Sequence, residues 1–487
     1  MAERRVTLAA PPAFHLPPLA DSGQSWVVGD GVEQRLESVY WDTVDLRLSR
    51  WDCSLRHRPG EGWTLHIPDP GGTRSPLRFD GPARHPPEPA VKLVRAYARH
   101  APLQPVARLS TWRRLEPLCD DAGQTLLTVI DDEVSILQGR RVAARFRELS
   151  VVAAEDEAAL TDVVVARLSA AGAVVTRTIP NHIRALGPIA SVPEVATPPL
   201  SAEPRASEVV RAAIATAVTN LLRRDPGVRL GGDPEDVHQA RVALRRLRSN
   251  LRTFKALVEP EWSTQLRQET GWLAGELGGV RDREVLLERL ESELAGLEPG
   301  DRRVVRDLPE RLRTELENAR SELRSAYESD RYLDLVELLI DAARYPRLTG
   351  DASVPALEVL PALVRKPWRA LRRDVQALPA DPPDAALHRV RILAKRARYA
   401  AEAAAAVVGQ PAARFAKRAA ALQTVLGEHQ DSVVAREWIR GAAGRGGRAF
   451  AAGILYGLEH SHGLEARREW PGVWDKLSKR KLRHWMA

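Results

Sequence analysis

The hydrophobic residues of this chain follow two different periods. In residues 1–190, short runs rich in Val, Leu, Thr and Trp, such as GWTLHIP and QTLLTVIDDEVSIL, are separated by Gly, Pro and Asp, as in antiparallel strands. Beyond a proline-rich stretch over 191–204, Ala and Leu recur every three or four positions, as in amphipathic helices. The pattern therefore predicts an amino-terminal α+β domain, a linker, and an all-α domain of roughly ten helices over 205–487.

Turn signals divide the amino-terminal domain into hairpins. GEG at 60–62 and DDAGQ at 120–124 each predict a turn between two strands, and DEAALTDVVVARLSAAG predicts a helix that ends at Gly172. Several antiparallel strands closed by one helix predict a β-barrel or a strongly curved sheet.

One predicted helix carries a stripe of positive charge. The segment is HQARVALRRLRSNLR, which starts at residue 238. Steps of three and four residues place five basic side chains on one side of the helix: His238, Arg241, Arg245, Arg248 and Arg252. Apolar residues follow the same steps one position earlier, at Val237, Ala240, Leu244, Leu247 and Leu251. The charges therefore lie at the edge of the face that we expect to be packed.

The stripe is repeated 150 residues later, where VHQARVALRRLRSN aligns with LHRVRILAKRARYA. This second stripe consists of His388, Arg391, Lys395 and Arg398. Downstream, LGGVRD from residue 277 aligns with LGEHQD from residue 426. The helical domain is thus predicted to contain two copies of one unit, about 205–345 and 355–487, related by a pseudo-two-fold axis that sets the basic helices across a groove.

Each feature has a simpler structural alternative. An isolated arginine-rich helix is usually a solvated face, although the repeat disfavours that explanation. His238 and His388 are equally consistent with core histidines that cap their helices, and a metal-binding role is not expected for either. Asp282 and Asp431, which end the two downstream motifs, are expected to be helix N-caps or partners of an arginine.

Charge and composition narrow the class of protein. The chain has 487 residues, 28% charged and 44% hydrophobic, which is typical of a folded protein. Residues 1–200 contain 23 Lys and Arg against 24 Asp and Glu, whereas residues 201–487 contain 49 against 40. The basic helical domain therefore indicates a polyanionic partner, and arginine is well suited to phosphate because its planar fork donates two parallel hydrogen bonds.

The chain carries no signal for export or membrane insertion. No apolar run is long enough to span a bilayer and no signal peptide begins the sequence, so we expect a cytoplasmic protein. Cys53 and Cys119 cannot form a disulfide framework and are expected to be reduced.

The two stripes and their Leu-Gly-x-x-x-Asp partners resemble the CHAD family, the conserved histidine α-helical domain. The resemblance covers about residues 205–487. It implies two four-helix bundles around a basic channel that binds inorganic polyphosphate, and hence association with polyphosphate granules. The implied contacts are His238, Arg241, Arg245, Arg248, His388, Arg391, Lys395 and Arg398, together with Arg414, Lys417 and Arg418 of the next helix.

The amino-terminal domain is similar to the CYTH family, the triphosphate tunnel fold. The similarity lies in YWDTVDLRLSRWDCSLRHRPGEGWTLHIP, DDEVSI and RFRELSV. It implies an eight-stranded barrel that binds a triphosphate through basic residues and Mg²⁺ or Mn²⁺ through acidic ones. The implied phosphate contacts are Arg5, Arg56, Arg58 and Arg113, and the implied metal ligands are Glu3, Asp131, Asp132 and Glu148.

This chain departs from the CYTH pattern mainly in its acidic residues. Met1, Thr128 and Ser150 stand where the family has acids, and His66 stands where it has a lysine. Hard divalent ions need several oxygen ligands, so the tunnel is expected to be degenerate, with weak or no triphosphatase activity.

Three functions remain open from the sequence. The first is polyphosphate binding by the helical domain, and the second is a Mg²⁺- or Mn²⁺-dependent triphosphatase in the barrel. The third is nucleic-acid binding, which we disfavour because the stripes contain little aromatic side chain for base stacking, Tyr399 being the exception.

Overall fold

The structure of the protein is a computed structural model that describes residues 3–20, 26–68, 75–154 and 157–486, apart from the side chains of Glu3 and Ala154. The chain divides into two compact units, Met1–Glu194 and Val195–Ala487.

The amino-terminal unit is built on one antiparallel sheet. Its order in the described residues is β10-β1-β9-β8-β7-β3-β4-β5-β6, and β2 pairs with β7. The strands are β1 (Glu3–Ala10), β2 (Val27–Val28), β3 (Val32–Asp42), β4 (Ser54–Arg58), β5 (Gly62–His66), β6 (Leu77–Phe79), β7 (Gln104–Cys119), β8 (Thr125–Gln138), β9 (Arg141–Ala154) and β10 (Val174–Thr176).

The predicted barrel is wrong for the part of this unit that the structure describes. A closed barrel requires its two outer strands to pair, and here no described pairing joins β6 to β10. Both outer strands are only three residues long, so each offers few backbone groups for closure. The two predicted hairpins are present, because β4 pairs with β5 and β7 pairs with β8.

One helix covers the core face of the sheet. Leu160, Val164 and Leu168 recur every four residues along it and pack with Leu8 and Val151 of the strands. This is the predicted helix, and it ends at Ala170, two residues before Gly172 with its positive φ of 105°. The helices of the unit are α1 (Arg47–Arg50), α2 (Glu88–Leu93), α3 (Arg95–Ala98), α4 (Ala158–Ala170) and α5 (Asn181–Leu186).

A buried ion pair ties the end of this unit to its interior. Glu194, which the composition places in the linker, accepts hydrogen bonds from both terminal nitrogens of Arg99, at 2.9 and 2.6 Å. Its Oε2 also accepts from Nε1 of Trp51 at 2.8 Å. Burial opposes ionisation of Glu194, but the bonds and charge of Arg99 outweigh it and lower the pKa of the carboxyl.

The carboxy-terminal unit is helical, as predicted. Its described residues form α6 (Ala206–Leu230), α7 (Pro234–Thr253), α8 (Pro260–Ala295), α9 (Pro299–Val304), α10 (Leu308–Glu328), α11 (Asp330–Arg344), α12 (Ala356–Gln376), α13 (Asp384–Val408), α14 (Gln410–Ala442) and α15 (Gly447–Leu477). None of the described helices combines the length and the apolar character that crossing a bilayer would require.

Local sequence explains where the first basic helix begins and which side it buries. Asp233 precedes α7 and accepts a hydrogen bond from the backbone of Glu235, and Pro234 occupies the first helical position. The apolar positions predicted to face the core are all buried, at Val237, Ala240, Leu244, Leu247 and Leu251.

The two halves of this unit meet through a reciprocal backbone contact. The amide of Ala206 donates to the carbonyl of Val354, and the amide of Ala356 donates to the carbonyl of Pro204, at 2.9 and 2.8 Å. The corresponding residues in the two bonds are 150 positions apart, which is also the offset between the basic stripes. Equivalent points at the starts of α6 and α12 therefore contact each other.

The buried ion pair between Arg99 and Glu194 is predicted to stabilise the amino-terminal unit. Glu194→Ala removes the carboxylate that accepts two hydrogen bonds from the buried Arg99 guanidinium, and we expect the free energy of unfolding of the amino-terminal unit to fall by about 3–5 kcal/mol. Urea denaturation followed by tryptophan fluorescence measures it, since Trp51 contacts Glu194 directly.

The matched control is Glu88→Ala, in an exposed pair with Lys92. That change is expected to lower the free energy of unfolding by less than about 1 kcal/mol. Equal unfolding midpoints for the two variants would contradict the assignment of a stabilising role to Glu194.

Candidate functional site

The two basic helices, α7 and α13, lie next to each other in the helical unit. Nε of Arg245 donates to the hydroxyl of Tyr399 at 2.5 Å, and the Arg245 guanidinium lies over the Tyr399 ring. A further contact joins Arg246 to Glu402 at 3.6 Å. The structure thus brings the two predicted stripes together, although they are far apart in the chain.

The predicted contacts fall into two groups by exposure. The members of the two stripes are half-buried: His238, Arg241, Arg245, Arg248, His388, Arg391, Lys395 and Arg398. Those of the next helix, α14, are exposed: Arg414, Lys417 and Arg418. Half-burial limits the water available to each cation of the stripes, so their mutual repulsion is poorly screened.

The Leu-Gly-x-x-x-Asp motif accommodates an arginine from the neighbouring helix. Leu277 is fully buried, and a Cβ atom at Gly278 would lie 3.7 Å from Nη2 of Arg241, in van der Waals contact. Asp282 accepts a hydrogen bond from Nη1 of Arg241 at 2.8 Å. The guanidinium therefore lies against the glycine and is bound by the aspartate.

The second copy repeats this arrangement. A Cβ atom at Gly427 would lie 3.5 Å from Nε of Arg391, and Asp431 lies 4.0 Å from the same guanidinium. Asp282 and Asp431 both lie inside long helices, so they are arginine partners and not N-caps.

Lys395 lies among cations from both halves of the unit. Burial lowers its pKa, and the charges of Arg391, Arg245 and Arg241 lower it further, while Asp431 opposes them. The result is a pKa of about 7 in place of 10.5. Lys395 is therefore a partly buried lysine surrounded by guanidinium groups of α7 and α13.

A second group of closely spaced arginines lies at the other end of the stripes. Partial burial lowers the pKa of Arg252, and so do the charges of Arg396, Arg267 and Arg248. The buried Nε atoms of Arg248 and Arg396 have no hydrogen-bond partner within the described residues. Donors of this kind are costly to bury, so an added acceptor would be favourable here.

Arg267 of α8 is not among the residues predicted from the sequence, although the spacing of residues on one face of that helix points to it. Arg267, Gly271, Gly278 and Asp282 are spaced by four, seven and four residues and so share one face of α8. A Cβ atom at Gly271 would lie 3.3 Å from Nη2 of Arg248. The glycines on that face indicate where the arginines of α7 approach.

The histidines that begin the two stripes, His238 and His388, have different surroundings. Burial lowers the pKa of His238, the charge of Glu235 opposes this, and nearby arginines add to the lowering. Nδ1 of His388 lies 2.6 Å from Oε1 of Gln430. The two copies of the repeat therefore differ in the neighbours of their histidines.

The two stripes differ in charge mainly at Glu402. It accepts a hydrogen bond from Nε of Arg398 at 2.6 Å and also lies near Arg246 of the facing helix. Since Arg252 stands at the corresponding place in the first stripe, one end of the site is more strongly basic than the other.

In the amino-terminal unit, most of the predicted tunnel residues share one face of the sheet. Directly paired residues of neighbouring strands lie on the same side, and alternate residues of a strand do too. By the strand registers, this face, which we call the arginine face, carries Arg5, Arg56, Arg58, Arg113, Asp132 and Glu148.

The acids of the arginine face are already paired. Both oxygens of Asp132 accept hydrogen bonds from Arg113 at 2.7 Å. Glu148 lies 3.3 Å from Nη1 of Arg184, and burial is the main cause of its raised pKa. These carboxylates hold guanidinium groups at close range, an arrangement that competes with metal binding.

The other two predicted metal ligands are Asp131 and Glu3. Asp131 lies on the opposite face, because successive residues of a strand alternate, and its oxygens accept from Arg147 at 2.8 and 2.6 Å. Asp131 is therefore separated from Asp132 and Glu148. Glu3 begins β1, but its side chain lies outside the described residues.

Comparison with known proteins agrees with the helical architecture. Residues 212–440 match the CHAD domain family. Two uncharacterized proteins of Mycobacterium tuberculosis, MT2285 of strain CDC 1551 and Rv2226 of strain H37Rv, are each 32% identical over 480 residues, which cover 92% of this chain and 90% of theirs. The chain belongs to the same family as these mycobacterial proteins, and it is a CHAD-domain protein.

Two solved structures are also similar to this chain. PptA from Streptomyces chartreusis is 25% identical, with a TM-score of 0.48 over 56% of this chain and 99% of PptA. The CHAD domain from the plant Ricinus communis is 26% identical, with a TM-score of 0.47 over 59% of this chain and 96% of that domain.

The position of Lys395 predicts a dependence of stability on pH. Its folded pKa of about 7 lies below 10.5, so between these values the unfolded chain binds more protons and the free energy of unfolding rises with pH. We expect Lys395→Met to stabilise the protein at pH 6–7 and to lose this advantage as the pH rises toward 10, since the buried charge is then absent from the wild type as well.

Denaturant unfolding at several pH values measures the difference in free energy of unfolding between the variant and the wild type. Lys255→Met, at an exposed lysine just beyond α7, is the control and is expected to give a difference that does not change with pH. If Lys395→Met behaved like that control, the lowered pKa of Lys395 would be refuted.

Proposed function

We propose that this protein binds inorganic polyphosphate between α7 and α13. The observation that carries the proposal is the concentration of half-buried cations from both helices around Lys395, with too few acids to balance them. Cations held together in this way repel one another, and a bound polyanion removes that repulsion. The bound polyphosphate therefore supplies the negative charge that the free protein lacks around these cations.

Phosphate matches these donors chemically. Each guanidinium can donate two parallel hydrogen bonds to adjacent oxygens of a phosphate, and it keeps its charge at any cellular pH. A polyphosphate chain repeats such groups at short intervals along one dimension, as the stripes repeat arginines along α7 and α13. The unpartnered Nε atoms of Arg248 and Arg396 are suitable donors at one end of this path.

The two halves of the helical unit are proposed to be related by a pseudo-two-fold axis. The reciprocal bonds at Ala206 and Ala356 support this, as do the repeated arginine–aspartate pairs of the two Leu-Gly-x-x-x-Asp motifs. Arg414, Lys417 and Arg418 would then contact the polyphosphate where it leaves the channel, because they are exposed on α14.

The amino-terminal sheet is proposed to be a degenerate triphosphate tunnel domain. Its arginine face carries Arg56, Arg58 and Arg113 in the positions implied by the CYTH resemblance. Asp132 and Glu148 contact arginines, so fewer carboxylates are available for Mg²⁺ or Mn²⁺. We propose phosphate binding without efficient hydrolysis, and metal-dependent triphosphatase activity is the alternative.

Polyphosphate binding is tested with single charge-removing variants of the full chain. We expect Arg245→Gln and Arg391→Gln each to weaken binding of long-chain polyphosphate about tenfold or more, because each removes a charge-assisted contact worth about 1.5–3 kcal/mol. Each variant should also lessen the dependence of the Kd on salt concentration. Titration calorimetry at several salt concentrations measures both effects.

Arg303→Gln, at an exposed arginine of α9, is the matched control and is expected to leave the Kd within twofold. Competition with DNA and RNA at one fixed salt concentration belongs to the same experiment. A control variant that loses as much affinity, or nucleic acid that competes as well as polyphosphate, would reject the proposal.

Hydrolysis is tested by release of phosphate from tripolyphosphate with Mg²⁺ or Mn²⁺. We expect the wild type to release no more phosphate than the Glu3→Gln, Glu148→Gln double variant, because the acidic set is incomplete. Sustained turnover that disappears in the double variant would instead establish the triphosphatase alternative.

A further inference from the structure

Away from the basic stripes, the end of α8 and the middle of α15 bring potential metal ligands together. Glu293, Glu459 and His462 each present one ligand atom, and these atoms all lie within 4.8 Å of one another. Nδ1 of His462 lies 3.4 Å from Oε1 of Glu293 and 4.0 Å from Oε2 of Glu459. Two ligands about 2.1 Å from one tetrahedral ion lie about 3.4 Å apart, so these separations suit a shared cation.

Two carboxylates of this cluster are buried with oxygens that lack hydrogen bonds. The side chain of Glu459 is 1% exposed, and its Oε2 has no hydrogen-bond partner among the described residues. The side chain of Glu293 is 7% exposed, and neither of its oxygens has one. Oxygens aimed into a shared interior space without donors are costly unless a cation or a proton occupies it.

The charges around the cluster do not balance. Arg289 donates to Glu428 at 2.6 Å and to Oε1 of Glu459, and it is the arginine that lies among these acids. Carboxylates of Glu428, Glu459 and Glu293 thus share this guanidinium, and an ion bound at Glu293 and Glu459 would offset the charge that Arg289 leaves uncompensated.

His462 presents a ligand atom of the right kind. Nδ1 lies 3.3 Å from Nη2 of Arg289, which can only donate, so a hydrogen bond between them requires a lone pair on Nδ1. A neutral imidazole nitrogen is a common metal ligand. Because Arg289 is also held by Glu428, it can withdraw from Nδ1 and leave that lone pair to a metal ion.

The spacing along α15 supports the same conclusion. Glu459 and His462 are three residues apart and therefore lie on one face of the helix. Glu-x-x-His with a glutamate from another helix is a ligand arrangement that helical bundles use for transition metals. The side chain of His462 is 43% exposed, so an ion can reach the cluster from solvent.

We propose that Glu293, Glu459 and His462 form a binding site for one divalent transition-metal ion. Two carboxylates and one imidazole favour Zn²⁺, Fe²⁺ or Mn²⁺ over Mg²⁺, since Mg²⁺ prefers oxygen ligands and keeps its waters. Glu293 belongs to the first half of the helical unit and Glu459 and His462 to the second. A bound ion therefore links the two halves and stabilises the folded unit.

The test uses the full chain, prepared without a histidine tag, stripped with a chelator and titrated with Zn²⁺, Co²⁺ or Mg²⁺. We expect one Zn²⁺ per chain, with an affinity at least a hundredfold above that for Mg²⁺. Visible absorption of the Co²⁺ form should report nitrogen and oxygen ligation. Zn²⁺ should raise the Tm of the wild type.

His462→Ala is expected to weaken Zn²⁺ binding at least tenfold and to abolish the Tm increase, and Glu459→Gln should do the same. His462 is partly exposed, so its variant should fold even if that of the buried Glu459 does not. His460→Ala, at an exposed histidine two residues away, is the matched control and should stay within twofold of the wild type.

No saturable Zn²⁺ binding to the wild type would overturn the proposal. Unchanged binding in His462→Ala would do so as well. Loss of binding in His460→Ala with retention in His462→Ala would show that surface histidines bind the ion elsewhere.

Discussion

Repulsion between cations on two packed helices is the constraint on which the helical unit depends. The stripes of α7 and α13 cannot separate, because Ala240, Leu244 and Leu247 next to the first stripe are fully buried. Hydrophobic packing thus holds guanidinium and ammonium groups closer together than they would stay in water. Burial is the main cause of the lowered pKa values of Lys395 and Arg391, and the neighbouring cations lower them further.

The fold limits this repulsion without removing it. Asp282 and Asp431 each offset part of the charge of one arginine. Elsewhere in the same unit the composition is reversed, since Arg289 lies among several carboxyl groups, including that of Glu293. One helical unit thus contains a cluster of cations and a separate cluster of carboxyl groups.

In the amino-terminal sheet, strand alternation decides which charges can act together. Asp131 and Asp132 are neighbours in the sequence, yet they lie on opposite faces and bind different arginines. Asp132 pairs with Arg113 and Glu148 with Arg184, so the acids on the arginine face serve mainly to hold basic side chains in place. A face of this composition presents guanidinium groups and engages its carboxylates with them.

The sequence by itself determined the helices, their buried faces, the two stripes and the duplication, because helical spacing is local and repeats can be found by aligning the chain with itself. It left Asp282 as a helix N-cap or the partner of an arginine, and the structure decided that this arginine is Arg241. Only the tertiary structure decided that Tyr399 lies against Arg245, that Arg267 joins the arginines of α7, and that Glu293 meets Glu459 and His462. It also decided that the described sheet is open. These features depend on distances, burial and summed charge among residues far apart in the chain, and no local pattern contains that information.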